Sequence, residues 1–461
     1  MTFKKLALGC SIAAALASVS NIAAAAAGYS LIEQSGSGMG NAFAGGAASA
    51  EDASTIYYNP AGMSRLKGKQ VAVALHAIRP SAQFTDTGSA IATAQAALGN
   101  TGGDPGSWGY VPNGYFSMEI DPAMQFGVGV NVPFGLQTSY DANWIGRFQT
   151  VKSKILTINV NPALSYRVSD TLTLGAGLNY QRIDGELTSA VNWAAAAFTA
   201  AGGGAGGLAA ANALNAAGQN EGMTNITGND AAWGYNFGAL FNVTPQTRIG
   251  VSYRSSIKYN LSGSVSFTNR PTAAVIGAPL AAGLAAAVPD GAVTLAVTMP
   301  DTFSASVFHR LDDKLDVMAD ATWTGWSVFQ QLNIVRPDGS TLGGAPIPEN
   351  WKDVWRIAVG VNHHYNELWT TRMGLAYDQT PVPDAFRTAR IPDQNRIWLS
   401  FGGQYKPGKN SAIDVAYTHL FIRDAQINDV QNTATKANGN LIGTYGSIAT
   451  NILSVQYTYG F

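Results

Sequence analysis

The imidazoles of the 461-residue chain are His76, His309, His363, His364 and His419. Imidazole is the commonest metal ligand and the usual general base near neutral pH. His363 and His364 are adjacent, and successive side chains of an extended strand face opposite sides, so that pair cannot chelate one ion. The single cysteine is Cys10, near the N-terminus, which leaves the rest of the chain without thiolate ligands or a disulfide framework. No metal and no cofactor is expected. Hydrolysis would need Ser, His and a carboxylate or amide brought together. His419 falls near the end of an extended segment and the chain has many serines, but no Gly-x-Ser-x-Gly elbow is present, so a hydrolase is only a weak alternative. The remaining chemistry is ionic. Arg248, Arg254, Arg356 and Arg372, with Asp316, Asp320, Asp378 and Asp414, share one parity of their segments. In a confined interior such charges must pair with one another. An arginine left partly free would instead hold a ligand carboxylate through its planar fork. Arg356 and Lys352 are the first candidates for that role. Arg182 is a weaker one, because it falls on the opposite, apolar parity.

The elements that carry these residues alternate with period two. Leu172, Leu174, Ala176, Leu178 and Tyr180 interleave with Thr171, Thr173, Gly175, Asn179 and Gln181, and the chain ends on Leu453, Val455, Tyr457, Tyr459, Phe461 against Ser454, Gln456, Thr458, Gly460. Such segments recur near 69–83, 113–120, 123–136, 151–168, 170–187, 232–242, 246–267, 293–309, 314–329, 353–364, 368–379, 394–405, 411–423 and 449–461, which makes fourteen. Short turns such as Asp121-Pro122 and Asp312-Asp313 alternate with long connections. An all-β, fourteen-stranded antiparallel transmembrane barrel fits this pattern: its apolar face meets lipid, its polar face meets the lumen, and its turns are short on the periplasmic side only. Closure removes the unpaired edge that hydrocarbon would penalise. A soluble sandwich fits less well, since one parity is apolar along nearly every strand.

Composition agrees. Charged residues make up 12% of the chain, about half the usual share, with 28 Lys+Arg against 29 Asp+Glu. Without basic runs there is no footprint for nucleic acid. Lys4 and Lys5, the apolar stretch Leu6 to Ala17 and the small residues to Ala27 form a secretory signal over residues 1–26, with cleavage expected after Ala26. Leu8-Gly9-Cys10 is a lipidation-like alternative with too short an apolar segment. Localisation in a Gram-negative outer membrane, as a monomer surrounded by lipid, follows.

Residues 27–68, ahead of the barrel domain at 69–461, do not alternate. They run through Gly40-Asn41-Ala42-Phe43 to Asn59-Pro60-Ala61, rich in small residues that suit a narrow lumen, with a turn fixed by Asn-Pro. We read this segment as a hatch, or plug. In the third strand Gln125, Gly127, Gly129, Asn131, Pro133 and Gly135 face inward, opposite Phe126 and Phe134. Three glycines and a proline remove side chains and a ladder donor, so the strand is expected to bend and pair incompletely. Residues 188–231 and 268–292 are dominated by Ala and Gly. They read either as mobile loops or as short apolar helices outside the barrel mouth, able to dock a hydrophobic ligand.

The motifs resemble a known family, the FadL-type transporters of long-chain fatty acids and hydrocarbons in Gram-negative outer membranes. Besides the two hatch motifs, the likeness is carried in order by Pro133-Phe134-Gly135-Leu136 with Trp144-Ile145-Gly146-Arg147-Phe148, by Pro300-Asp301-Thr302-Phe303, and by Thr324-Gly325-Trp326-Ser327. Trp351-Lys352-Asp353-Val354-Trp355-Arg356, Tyr377 to Asp384, and Ile391 to Arg396 follow. The resemblance implies a hatch-plugged barrel that captures a hydrophobic molecule on external loops, holds it in an inner pocket and releases it sideways at the kinked third strand, with no enzymatic step. A polar-solute porin is the alternative, and the hatch argues against it. The Ala/Gly-rich capture loops depart from the family pattern.

Overall fold

The computed structural model describes residues 28–95, 97–430 and 438–461. The expected signal peptide, its cleavage point and Cys10 lie outside them. Fourteen strands form a closed antiparallel barrel. In chain order these are β1 (Lys69–Asp86), β2 (Gly109–Asp121), β3 in two segments (Met124–Asn131 and Gly135–Ser139), β4 (Lys152–Arg167), β5 (Leu172–Asn192) and β6 (Glu221–Asn242). β7 has two segments (Thr247–Arg254 and Ile257–Phe267), as does β8 (Gly291–Met299 and Thr302–Arg310). The ring continues through β9 (Leu315–Thr324), β10 (Val354–His364), β11 (Trp369–Asp378), β12 (Arg396–Gly408), β13 (Ser411–Ile422) and β14 (Leu441–Gly460). Pairing of β1 with β14, from Gln70↔Gly460 to Asp86↔Gly443, closes the ring. No open edge is left there for hydrocarbon to strip of its water.

The period-two reading holds residue by residue. Leu174, Leu178, Trp233, Leu453 and Phe461 are 47–65% exposed on the outer wall, whereas Thr173, Asn179, Gln181, Ser454 and Gln456 are buried in the lumen. All eight charged residues assigned to the lumen by parity point inward. Several strands outrun their expected ends. β5 and β6 continue to Asn192 and back from Glu221, because alternating Thr, Asn and Gly residues pair as readily above the membrane as apolar ones do within it.

The two Ala/Gly-rich connections are helical in their outer parts: α4 (Trp193–Ala200) and α5 (Gly204–Ala217), then α6 (Ala273–Ile276) and α7 (Ala278–Ala287), which follow three short hatch helices in the chain. They pack on one another through Trp193, Ala197, Leu214 and Leu284. Among the described residues no helix is long and apolar enough to cross a membrane. The hatch contains α1 (Gly36–Met39), α2 (Gly46–Ser49), α3 (Thr55–Tyr58) and a 3-10 turn (Pro60–Arg65).

Candidate functional site

The hatch is seated by wall arginines. Arg356 Nη2 donates to the Ala42 carbonyl (2.6 Å), Arg248 to those of Ala48 and Ser49 (3.0 and 2.9 Å), and Arg254 to that of Tyr57 (3.0 Å). Arg372 forks onto the Glu51 carboxylate (2.6 and 2.5 Å) and reaches Asp414 (3.1 Å). Each arginine thus binds an acceptor on the hatch, and the Ala42 and Ala48 carbonyls are buried with their donors. Asn59 Nδ2 donates to Ala47 and Ala239, and its Oδ1 caps the amide of Ala61 (3.0 Å), while Pro60 starts the 3-10 turn. Asn41 donates to Asn362 (3.2 Å), and Phe43 packs edge-on against Trp398. Wall glycines make room for the plug: a Cβ on Gly402 would stand 2.7 Å from the Cα of Gly40, and one on Gly360 2.8 Å from the Asn41 carbonyl.

Gly127 belongs to this group. A Cβ there would meet Ile56 and Met63 of the hatch at 2.6 Å. Gly127 and Gly129 both pair on each side, with Ser117 and Tyr115 of β2 and with Ala163 and Asn161 of β4. Gly127 therefore admits the hatch, a Cβ on Gly129 would meet the Tyr115 ring of the wall at 3.0 Å, and both glycines, expected at the opening, lie in continuous ladders that frame no gap. The irregularity lies further along. The β2–β3 ladder stops at Gly114↔Val130, while β2 goes on pairing with β1 to Gly109. Between Asn131↔Asn159 and Gly135↔Leu156, four steps on β3 oppose three on β4, so the strand bulges at Val132, Pro133 and Phe134. Asn131 itself is held in register by Asn159, which also bonds Asn179 (3.0 Å each).

The hatch supplies the pairing that β2 withdraws. Leu31 N donates to the Pro133 carbonyl (2.8 Å), and Gly135 N donates to the Tyr29 carbonyl (2.9 Å). The Gln34 carboxamide donates to the Val132 carbonyl (2.8 Å) and accepts from the Val132 amide (3.3 Å), as a neighbouring strand would. From β2, Asn113 Nδ2 donates to the Glu33 carbonyl (3.0 Å) and the Tyr115 hydroxyl to that of Gln34 (2.9 Å). Residues 29–34 therefore bridge the interrupted seam. The Glu33 carboxyl is fully buried there without a hydrogen-bond partner, and burial pushes it up to about 7 against the pull of Arg356 and Arg396.

Two cavities flank this segment. The upper one, about 80 Å³, is lined by aliphatic residues including Leu136, Ile155, Ile183, Leu261 and Leu295, with Tyr29, Glu349 and Arg390 among them. Arg390 donates to Thr150 Oγ1 and Ser153 Oγ (3.1 Å each) and to the Gln149 carbonyl (2.8 Å). Burial pushes Glu349 up to about 8, its bond from Trp351 and the nearby Arg390 only partly offsetting this. Near pH 7 Glu349 is mostly neutral and does not cancel the Arg390 charge, on which the nearby Asp429 also acts. The lower cavity, about 90 Å³, is more polar than the upper one and contains Arg254, Arg356, Asp320 and Asp378. A cluster of Tyr29, Trp326, Phe329 and Trp351, with centroids 4.7 to 5.9 Å apart, stands between them. A third cavity sits beside the seam, between Pro80–Ala82 and Leu136–Thr138. It shares Leu136 and Ile391 with the upper one.

The expected headgroup residues scatter. Arg356 lines the lower cavity, and its Nε and Nη1 have no partner. Lys352 is exposed outside both main cavities, and Arg182 lies on the outer wall paired with Asp184 (2.7 Å). Arg390 was not singled out from the sequence, because it lies in a non-alternating connection where parity says nothing. Four of the five histidines bond to strand neighbours: His76 to Ser454, His309 to Thr247, His364 to Asp316 and Thr370, and His419 to Asn451.

Comparison with known proteins gives a consistent result. The family model described as outer membrane protein transport protein (OMPP1/FadL/TodX) matches residues 16–461. The long-chain fatty acid transport protein of Escherichia coli K12 is 29% identical over 436 residues, covering 93% of this chain and 95% of that protein. Outer membrane protein P1 of Haemophilus influenzae is 30% identical over 462 residues, 95% of each. The crystal structure of a Pseudomonas aeruginosa FadL homologue superposes with a TM-score of 0.83 at 27% identity, over 94% of this chain and all of that one. The Ralstonia pickettii toluene transporter TbuX shares the fold, with a TM-score of 0.61 at 21% identity over 91% of this chain and 96% of that one.

Proposed function

This chain belongs to the outer-membrane transport proteins of the OMPP1/FadL/TodX family, and we propose that it takes up long-chain fatty acids or related hydrocarbons passively, without chemistry on the cargo. Apolar helices α4 to α7 capture the molecule outside the barrel, and the upper cavity receives it. Transfer of each methylene from water is worth about 0.8 kcal/mol, which is enough to drive an alkyl chain inward with no other energy source. A cavity of about 150 Å³ holds a benzene, so a long chain must part the side chains of the 80 Å³ upper cavity as it enters. Leu136 and Ile391 then separate the ligand from the third cavity and the seam, where residues 29–34 give way and the cargo slides into lipid. A cargo that water rejects avoids the wet periplasmic end by this route.

The observation that carries the reading is the aliphatic upper cavity, joined through two shared residues to a chamber at a seam that the hatch bridges and that Pro105 and Ser107 close further up through Ser139 and Gln137. For an acid, Arg390 is the headgroup partner in that cavity, with Arg356 as a deeper station; Lys352 and Arg182 are too far outside to serve. The test is mass spectrometry of lipid copurified with the folded barrel. Fatty acids or hydrocarbons are expected in excess over a control barrel, and their absence together with failure to bind palmitate would overturn the proposal.

A further inference from the structure

Three glycines lie side by side across the wall of the upper cavity. Gly185 of β5 is opposite Gly228 of β6, and Gly228 is opposite Gly263 of β7. All three line the cavity. The row toward the outer mouth is Leu187, Ile226 and Val265, again directly paired, and the row beneath includes Ile183 and Leu261. Between two aliphatic rows the wall therefore has a trough without side chains. It crosses two inter-strand spacings, about 10 Å, at an angle to the strands.

Glycine weakens a strand, so its presence needs a reason. At Gly263 the reason is backbone packing, since a Cβ would strike the Thr227 carbonyl. Gly185 and Gly228 have no such reason. Neither has a positive φ, and a Cβ on either would stand 3.7 and 3.5 Å from Leu261, at ordinary contact distance. The wall would accept side chains at both positions, and only the cavity would lose space. The Tyr29 hydroxyl, fully buried and without a partner, lines the same cavity.

We infer that Gly185 and Gly228 determine specificity by keeping open a slot for one unbranched alkyl chain laid across strands β5 to β7. The inference rests on the proposed uptake of hydrophobic molecules. In so narrow a cavity an isopropyl group from either wall position occupies the path of the chain.

The experiment measures binding of octanoate, palmitate and toluene to the detergent-solubilised barrel and to Gly185→Val, Gly228→Val and the double variant. Valine favours strands, and Gly185→Ala with Gly228→Ala provides a milder pair should valine block assembly; heat-modifiable gel mobility reports folding. Wild type should bind palmitate tightest. The double valine variant should weaken palmitate at least about tenfold, the worth of about two buried methylenes, and leave octanoate nearly unchanged, with the alanine pair intermediate. Equal losses for both acids, or no loss for palmitate, overturn the slot. Wild-type preference for toluene overturns the alkyl selection and leaves hydrophobic uptake standing, whereas no binding of any probe overturns both.

Discussion

Replacing Arg390 by Gln removes a charge from the upper cavity and should separate acids from neutral chains of the same length. The guanidinium already bonds Thr150, Ser153 and Gln149, so it is held in place and its charge is not cancelled by Glu349 near pH 7. A charged hydrogen bond is worth about 1.5–3 kcal/mol, or roughly 10- to 150-fold in affinity. Palmitate should lose that much and 1-hexadecanol almost nothing, measured by displacement of a fluorescent fatty acid from the solubilised barrel. Arg390→Lys should recover part of the loss, which separates charge from packing. A pH series adds an independent check. Because Glu349 is raised from 4.5 to about 8, it gains charge as pH passes 8 and competes for Arg390, so palmitate affinity should fall between pH 7 and 9 while hexadecanol affinity stays level. The same shift means that the folded state keeps a proton the unfolded chain has lost, so this group's contribution to stability declines as pH rises from about 4.5 to 8. Equal losses for acid and alcohol, or a flat pH profile with Glu349 intact, would refute the assignment.

Other expectations follow from the hatch and its seam. Gln34→Leu should strip Val132 of both side-chain bonds and raise hydrophobic uptake at equal surface abundance; a lowered rate would show that the amide positions the cargo and does not close the seam. Arg372→Gln leaves Glu51 without its fork and should loosen the plug, seen as raised single-channel conductance in planar bilayers, with still larger conductance on deleting residues 28–67. Replacing Asn59 and Pro60 by Ala should impair uptake with the barrel still heat-modifiable, since Asn59 ties α2 and the 3-10 turn to β6; unchanged transport would remove that turn from the mechanism.

The barrel was legible because lipid on one side and a wet lumen on the other impose a two-residue period on every strand. Leu178 and Asn179 take opposite faces on the sequence pattern alone. The charged lumen residues were legible for the same reason. The position of the seam was not, because the number of glycines on a face does not say what opposes them. Gly127 faces Ile56 and Met63 of the hatch, a contact 71 and 64 residues away in sequence with no local trace. The bulge at Val132 to Phe134 depends on the register against β4. Arg390 and Glu349 lie in connections without periodicity, where only the fold brings them into one cavity. The glycine trough was hidden differently, since Gly185, Gly228 and Gly263 become neighbours only once three strands are in register.

The most direct measurement of sideways release locks the hatch to the third strand. Ser30 and Phe134 form an antiparallel bridge, within reach of a disulfide, and Cys10 is the one cysteine in the sequence. The double variant Ser30→Cys, Phe134→Cys is expressed in the outer membrane, and uptake of radiolabelled palmitate is followed before oxidation, after oxidation and after reduction. Uptake should collapse in the oxidised protein and return on reduction, while palmitate still binds the upper cavity throughout. Full uptake through the locked seam would contradict lateral release and send the cargo along the barrel axis.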